Sequence, residues 1–142
     1  MEPRLYRVAQ AILWRDADCA DAVQEAVFRA WMKKGGLRTS EYFETWLTRI
    51  LINACRDTLR RRKHEASMPD NEPGAEDGMC ESLALRMALK RVPEKYRLPL
   101  VLHHAAGYTV ADVARMLGTT RSAVASRMVR ARKMMRELLE EE

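Results

Sequence analysis

The side chains of this 142-residue chain that could do chemistry are mostly arginines, and they recur at helical spacing. Near the C-terminus, Arg121, Ser122 and Ser126, followed by Arg127 and Arg130, share the polar face of a segment. Its other face carries Val124, Met128, Ala131 and Met135. Further upstream, Arg49, Asn53, Arg56 and Arg60 fall at i, i+4, i+7 and i+11, and Arg61, Arg62 and Lys63 extend the run. A guanidinium neutralises phosphate or grips the edge of guanine, and an amide suits base edges, so both sets point to nucleic acid. A third set is different in kind. Asp21, Gln24, Glu25 and Phe28 form one strip of i, i+3 and i+4 neighbours. An outward phenylalanine in a polar strip is unusual for a plain solvated face.

Other chemistries lack their residues. No paired carboxylates, nucleophile–base set or phosphate-binding loop stands at usable spacing, so enzymatic activity has no support. Cys19, Cys55 and Cys80 are far apart without CxxC or Cys–His spacing, and are expected to be reduced thiols in or near the core. His103 and His104 are adjacent and point to different helix faces, whereas paired ligands favour i, i+4. Neither a metal nor any other cofactor is expected.

The elements that must hold these residues follow from composition. A hydrophobic fraction of 47% with 32% charged residues describes a soluble, helix-rich protein. No apolar run approaches the ~18 residues of a membrane span, and MEPRLYRVAQ has no signal-peptide core, so a cytoplasmic protein is expected without direct membrane insertion. Charge is unevenly spread. Residues 1–63 carry 13 basic and 8 acidic side chains, residues 64–82 carry 6 acidic and no Lys or Arg, and residues 83–142 carry 12 basic and 6 acidic. Two basic bodies thus flank an acidic connector. Charge alone fits one polyanion touched twice, or two ordinary solvated surfaces. The segment HEASMPDNEPGAEDGMCES (64–82) has no apolar periodicity and reads as a flexible linker.

The remainder is helical in pattern. Leu5, Val8, Ala9, Ile12 and Leu13 predict one stripe. Val23, Ala26, Val27, Ala30 and Trp31 predict a second, ended by Gly35-Gly36. Thr39 or Ser40 caps a third helix with Phe43, Trp46, Leu47, Ile50, Leu51, Ala54 and Thr58 inward. Leu85, Ala88, Leu89 and Val92 mark a fourth, and Pro93 suits the first turn of a fifth that Pro99 should kink or shorten. Thr109 then offers an N-cap with Asp112 three residues on. Val110, Val113, Ala114 and Leu117 form an apolar face, and Gly118 permits a left-handed turn. Thr119 or Thr120 caps the last helix near Arg121. Small Ala114, turning Gly118 and inward Val124 together describe a helix-turn-helix whose second helix enters the major groove.

At these residues the chain resembles a known family. ALKRVPEKYR (88–97), AAGYTVADVARMLGTT (105–120) and SAVASRMVRARKMM (122–135) resemble the promoter-binding fourth region of bacterial RNA polymerase sigma factors. DAVQEAVFRAW (21–31) and FETWLTRILINACRDTLRRR (43–62) resemble the second region. Two such regions with a short linker look like the extracytoplasmic-function (ECF) group. The resemblance implies an all-α chain of two small helical domains, 1–63 and 83–142, joined by the linker 64–82. It implies no catalysis, but binding to core RNA polymerase through Asp21, Gln24, Glu25 and Phe28. Promoter DNA would be recognised through two modules, with the loop Lys33–Tyr42 and the third helix on the element nearest the start site. An anti-sigma factor commonly restrains such proteins, although no residue here identifies one. Ala20-Asp21 replaces the family's usual acidic pair, and Ala123 and Ala125 stand where threonine and lysine are common. Without the resemblance, a stand-alone helix-turn-helix transcriptional regulator is the competing reading.

Overall fold

A computed structural model describes residues 2–33, 42–64 and 83–140. The linker beyond His64 and most of the loop Lys33–Tyr42 lie outside the described residues, as do Thr39, Ser40, Gly35, Gly36 and Cys80. The described residues are helical and contain no strand. The N-terminal half holds α1 (Glu2–Ile12), α2 (Asp16–Met32) and α3 (Phe43–His64). The C-terminal half holds α4 (Leu83–Arg91), α5 (Glu94–Leu100), a π-helical turn (Val101–Ala105), α6 (Val110–Leu117) and α7 (Arg121–Glu140). No described helix is long and apolar enough to cross a membrane.

The expected stripe of α1 is buried throughout, and so are Gln10 and Ala11 on its other side. This helix is covered twice, by α2 and α3 on one side and by α5 and the π-helical turn on the other. The inward face of α2 differs from the expected one. Cys19, Ala22, Ala26 and Ala30 are buried, while Val27 and Trp31 are exposed. Small side chains let α2 approach α3 closely, so the small face wins the contact and the large residues are turned out. The second helix ends at Met32, ahead of the glycines expected to stop it. Along α3 the buried set Leu47, Ile50, Leu51 and Ala54 follows the predicted stripe, and Thr48, Ile52 and Cys55 add a second buried flank. Phe43, Trp46 and Thr58 are only half-buried.

Pro93 stands at the N-cap of α5, one position before the expected first turn. Pro99 is buried inside α5 and cannot donate a backbone hydrogen bond. The helix shortens as expected and passes directly into the π-helical turn, where the Ala106 amide donates to the Val101 carbonyl at 2.9 Å. Gly107, at φ +83°, then redirects the chain toward α6.

The two halves are not held apart. Described residues of α1 pack on α5 and the π-helical turn, and α3 packs on α6. A single apolar cluster runs from Leu5 and Ile12 through Leu51 to Leu98, Leu102, Val113 and Val124.

Candidate nucleic-acid and polymerase-binding surfaces

The helix-turn-helix is built from local bonds that the residues at its corners dictate. The Thr109 hydroxyl accepts the Asp112 amide at 3.1 Å and caps α6. The Asp112 carboxylate turns instead to Arg115, at 2.7 Å, so the capping box is only half made. Gly118 ends α6 at φ +66°, ψ 40°, in the left-handed region where a Cβ is strained. Of the two candidate caps for α7, Thr120 is used, its hydroxyl accepting the Ala123 amide at 3.0 Å. Val124, Met128, Ala131 and Met135 are buried as predicted, and Met116 adds to the core of the motif.

That packing fixes which side chains of α7 remain available. Arg121, Ser122, Ser126 and Arg130 are exposed and Arg127 is half-buried. Neither Arg121 nor Arg127 pairs with an acidic side chain among the described residues, whereas the Arg130 guanidinium lies 5.5 Å from the Tyr96 ring centroid. A free guanidinium at the start of a helix behind a tight turn has the geometry for major-groove contacts.

The ridge of α3 is brought together along one helix but is not uniformly free. Arg49, Asn53, Arg60 and Arg61 are exposed. Arg56 pairs with Glu94 of α5 at 3.1 Å, and Arg60 pairs with Asp57 one turn before it. Arg62 reaches Asp18 of α2 at 2.6 Å. A cleft of about 540 Å³ runs between the end of α3 and Glu94, lined by Arg56, Leu59, Arg60, Arg62 and Lys63. Its cations outnumber its carboxylates, which suits a phosphate backbone. Of the expected specificity loop, only Lys33 and Tyr42 are described. Tyr42 is exposed, with the Arg115 guanidinium 4.9 Å from its ring centroid.

The α2 strip is placed as expected. Asp21, Gln24, Glu25 and Phe28 all face outward, with Phe28 59% exposed. Glu25 also pairs with Arg29 at 3.0 Å, which in turn reaches Asp57 of α3 at 3.1 Å. The surface is larger and more apolar than the strip alone, because Val27, Trp31 (64% exposed) and Met32 lie beside Phe28. Periodicity had assigned Val27 and Trp31 to the core. The signal that would have corrected this was the small-residue run Cys19, Ala22, Ala26 and Ala30, which marks the closer-packing face.

The remaining titratable groups have structural surroundings. Burial pushes the Cys19 thiol up to about 12, with Asp16 and Asp18 adding to the effect, and its Sγ donates to the Leu13 carbonyl. Burial likewise raises the Cys55 thiol well above its ordinary range. Both cysteines are unpaired thiols. Burial, then the neighbouring His103 and Arg132, lowers His104, and His103 Nδ1 lies 2.7 Å from the Tyr108 carbonyl. No group of His, Cys, Asp and Glu among the described residues could hold a metal ion.

Two arginine-bearing faces on one helical body, with a third face apolar and exposed on α2, have the chemistry of a protein that meets both nucleic acid and a protein partner. Comparison with known proteins agrees with this. Residues 1–65 match the family model "Sigma-70 region 2", and residues 82–135 match "Sigma-70, region 4". The ECF RNA polymerase sigma factor SigM of Mycobacterium tuberculosis is 37% identical over 140 residues, covering 96% of this chain and 71% of that one. The RNA polymerase sigma factor SigV of Bacillus subtilis is 28% identical, covering 96% and 85%. Among solved structures, the sigma factor RpoE of Bartonella quintana, in complex with the anti-sigma factor NepR, superposes with a TM-score of 0.77 at 24% identity, covering 97% of this chain and 91% of that one. CnrH, in complex with the cytosolic domain of CnrY, gives 0.74 at 23%, covering 98% and 82%. The chain belongs to the ECF group of RNA polymerase sigma factors.

Proposed function

We propose that this chain binds core RNA polymerase, recognises promoter DNA through two modules and so initiates transcription, without being a catalyst itself. The observation that carries this reading is the outward-facing surface of α2. Asp21, Gln24, Glu25 and Phe28 are exposed together beside Val27 and Trp31, a surface that a regulator acting alone has no use for. The domains are taken as 1–63 and 83–142 with the acidic linker 64–82 between them. Residues 1–63 serve the polymerase and the proximal promoter element, through Arg49, Asn53, Arg56, Arg60 and Arg61. Residues 83–142 serve the upstream element, through Arg121, Ser122, Ser126, Arg127 and Arg130. Each module makes few contacts, and tethering both to polymerase raises the effective concentration of the second. The site of action is the cytoplasm. The solved relatives in complex with anti-sigma factors support an anti-sigma partner here as well.

Run-off transcription with purified core enzyme and genomic promoter fragments tests this. Wild type gives discrete transcripts. The double variant Asp21→Ala, Phe28→Ala gives few, because it loses core enzyme while keeping its helical circular dichroism and melting temperature. Absence of core binding and of any transcript with the wild-type chain refutes the proposal.

A further inference from the structure

The outward strip of α2 and the basic ridge of α3 are joined by a row of charges. Glu25 Oε2 accepts from Arg29 Nε at 3.0 Å. Arg29 Nη2 donates across to Asp57 Oδ2 of α3 at 3.1 Å. The other carboxylate oxygen, Asp57 Oδ1, accepts from Arg60 Nη2. Anion, cation, anion and cation thus alternate from one proposed binding face to the other.

Local sequence and packing both build this row. Glu25 and Arg29 are i, i+4 neighbours on α2, and Asp57 and Arg60 are i, i+3 neighbours on α3. Both have the acid ahead of the base, the order that suits a helix. Arg29 can reach α3 because α2 packs on it through Ala22, Ala26 and Ala30, whose small side chains let the two helices approach. The middle of the row is its more covered part. Side-chain exposure is 29% for Arg29 and 40% for Asp57, against 51% for Glu25 and 70% for Arg60. The ends are therefore open to a partner while the middle is held. Hydrogen bonding to Glu25 raises the Arg29 pKa, with Asp57 adding and burial opposing, so both anions act on one cation.

The two central groups make the row respond as a unit. A guanidinium offers several N–H donors and a carboxylate two oxygens, so Arg29 and Asp57 each hold two neighbours at once. A group that loses one neighbour leans on the other. When a basic side chain of a partner takes Glu25, Arg29 keeps Asp57 alone and draws its carboxylate away from Arg60. Arg60 is then released toward phosphate. The exchange also runs backward, because phosphate on Arg60 returns Asp57 to Arg29 and frees Glu25.

We infer that Arg29 and Asp57 are positioning residues that couple the two faces, so that docking of Glu25 on a cation of core polymerase unmasks Arg60 for the promoter backbone. In this role neither residue touches polymerase or DNA. The relay rests on the sigma-factor reading and adds to it a second reason why the polymerase-bound chain holds DNA better. Tethering raises the effective concentration of a module, whereas the relay changes the charge that the module offers.

A double-mutant cycle on the full chain, without polymerase, tests the relay. The probe is a fluorescent duplex taken from a genomic promoter fragment, titrated at low salt. Glu25→Gln imitates the docked state by removing charge from the far end of the row. It should tighten duplex binding about threefold, the size of one partly exposed ion pair. In the Arg60→Gln background the same change should have no effect, because the relay acts through Arg60. Both positions are exposed, so the fold is not at risk. An equal gain in both backgrounds marks a general loss of negative charge and overturns the relay, as does no gain in either. Asp57→Asn cuts the row and ties the effect to polymerase. The duplex should improve core-enzyme binding about threefold more for wild type than for Asp57→Asn, by reciprocity. Should Asp57→Asn lose its helical circular dichroism, Arg29→Gln cuts the row at the neighbouring position. Equal improvement with core binding intact overturns the relay alone. No core binding by wild type removes the sigma-factor reading beneath it.

Discussion

The Arg97 guanidinium is 7% exposed, and its hydrogen-bond acceptors are backbone carbonyls, with Ala11 at 2.7 Å and Val92 at 2.6 Å. Burial draws its pKa below the usual arginine value, with Glu94 opposing. Carbonyls of α1 and α4 thus share one cation, a task suited to the planar fork of arginine and poorly suited to the single point of an ammonium. Arg97→Ala should cost about 3 kcal/mol in urea unfolding, since it orphans buried acceptors and leaves a cavity. Arg97→Lys should recover only part of that. On α7, Arg127→Ala should weaken holoenzyme binding at the upstream element by roughly 1–3 kcal/mol if the guanidinium reads a base. Equal transcription by wild type and variant, from promoters with and without that element, would remove Arg127 from the reading face. Ala123 and Ala125 offer no polar group there, so the burden falls on few side chains.

Among the elements, α6 and its turn depend on two corner residues. Gly118→Ala should lower stability by about 1 kcal/mol through the left-handed φ, not through a clash, because the nearest atom to the new Cβ is 3.9 Å away. Thr109→Ala should cost about 1 kcal/mol by leaving the Asp112 amide uncapped. Thermal unfolding measures both, and a neutral result at Gly118 would mean that the turn relaxes. The rotation of α2 also belongs to this scale. A helix with apolar residues on two sides must choose, and the choice of Cys19, Ala22, Ala26 and Ala30 leaves Phe28 and Trp31 exposed.

The whole molecule has an alkaline limit set by its core. Cys19 is raised from 9.0 to about 12 by burial, and Tyr6 from 10.0 to about 12 by burial and its bond to Asp16. Both groups hold their protons longer in the folded chain than in the unfolded one. Their contribution is complete below about pH 9 and is lost as pH climbs from there toward 12. The urea midpoint should therefore fall above about pH 9. Cys19→Ala should blunt the lower part of that fall.

Helix content, the helix-turn-helix and the outward strip from Asp21 to Phe28 were legible in the residues, because a 3.6-residue period and the caps Thr109 and Gly118 are local signals. The choice between two apolar faces of α2 was not, since periodicity counts hydrophobicity and only packing weighs size. The distant partners of Arg56 and Arg97 were not legible either. Arg56 meets Glu94 38 positions away, and Arg97, besides its near neighbours, meets Ala11 86 positions away. Sequence determined that this chain carries two basic helix faces. Only the tertiary structure decided that one of them is tied to the other half through Arg56 and Glu94, because burial of α1 on both sides draws the halves together whatever charge they bear.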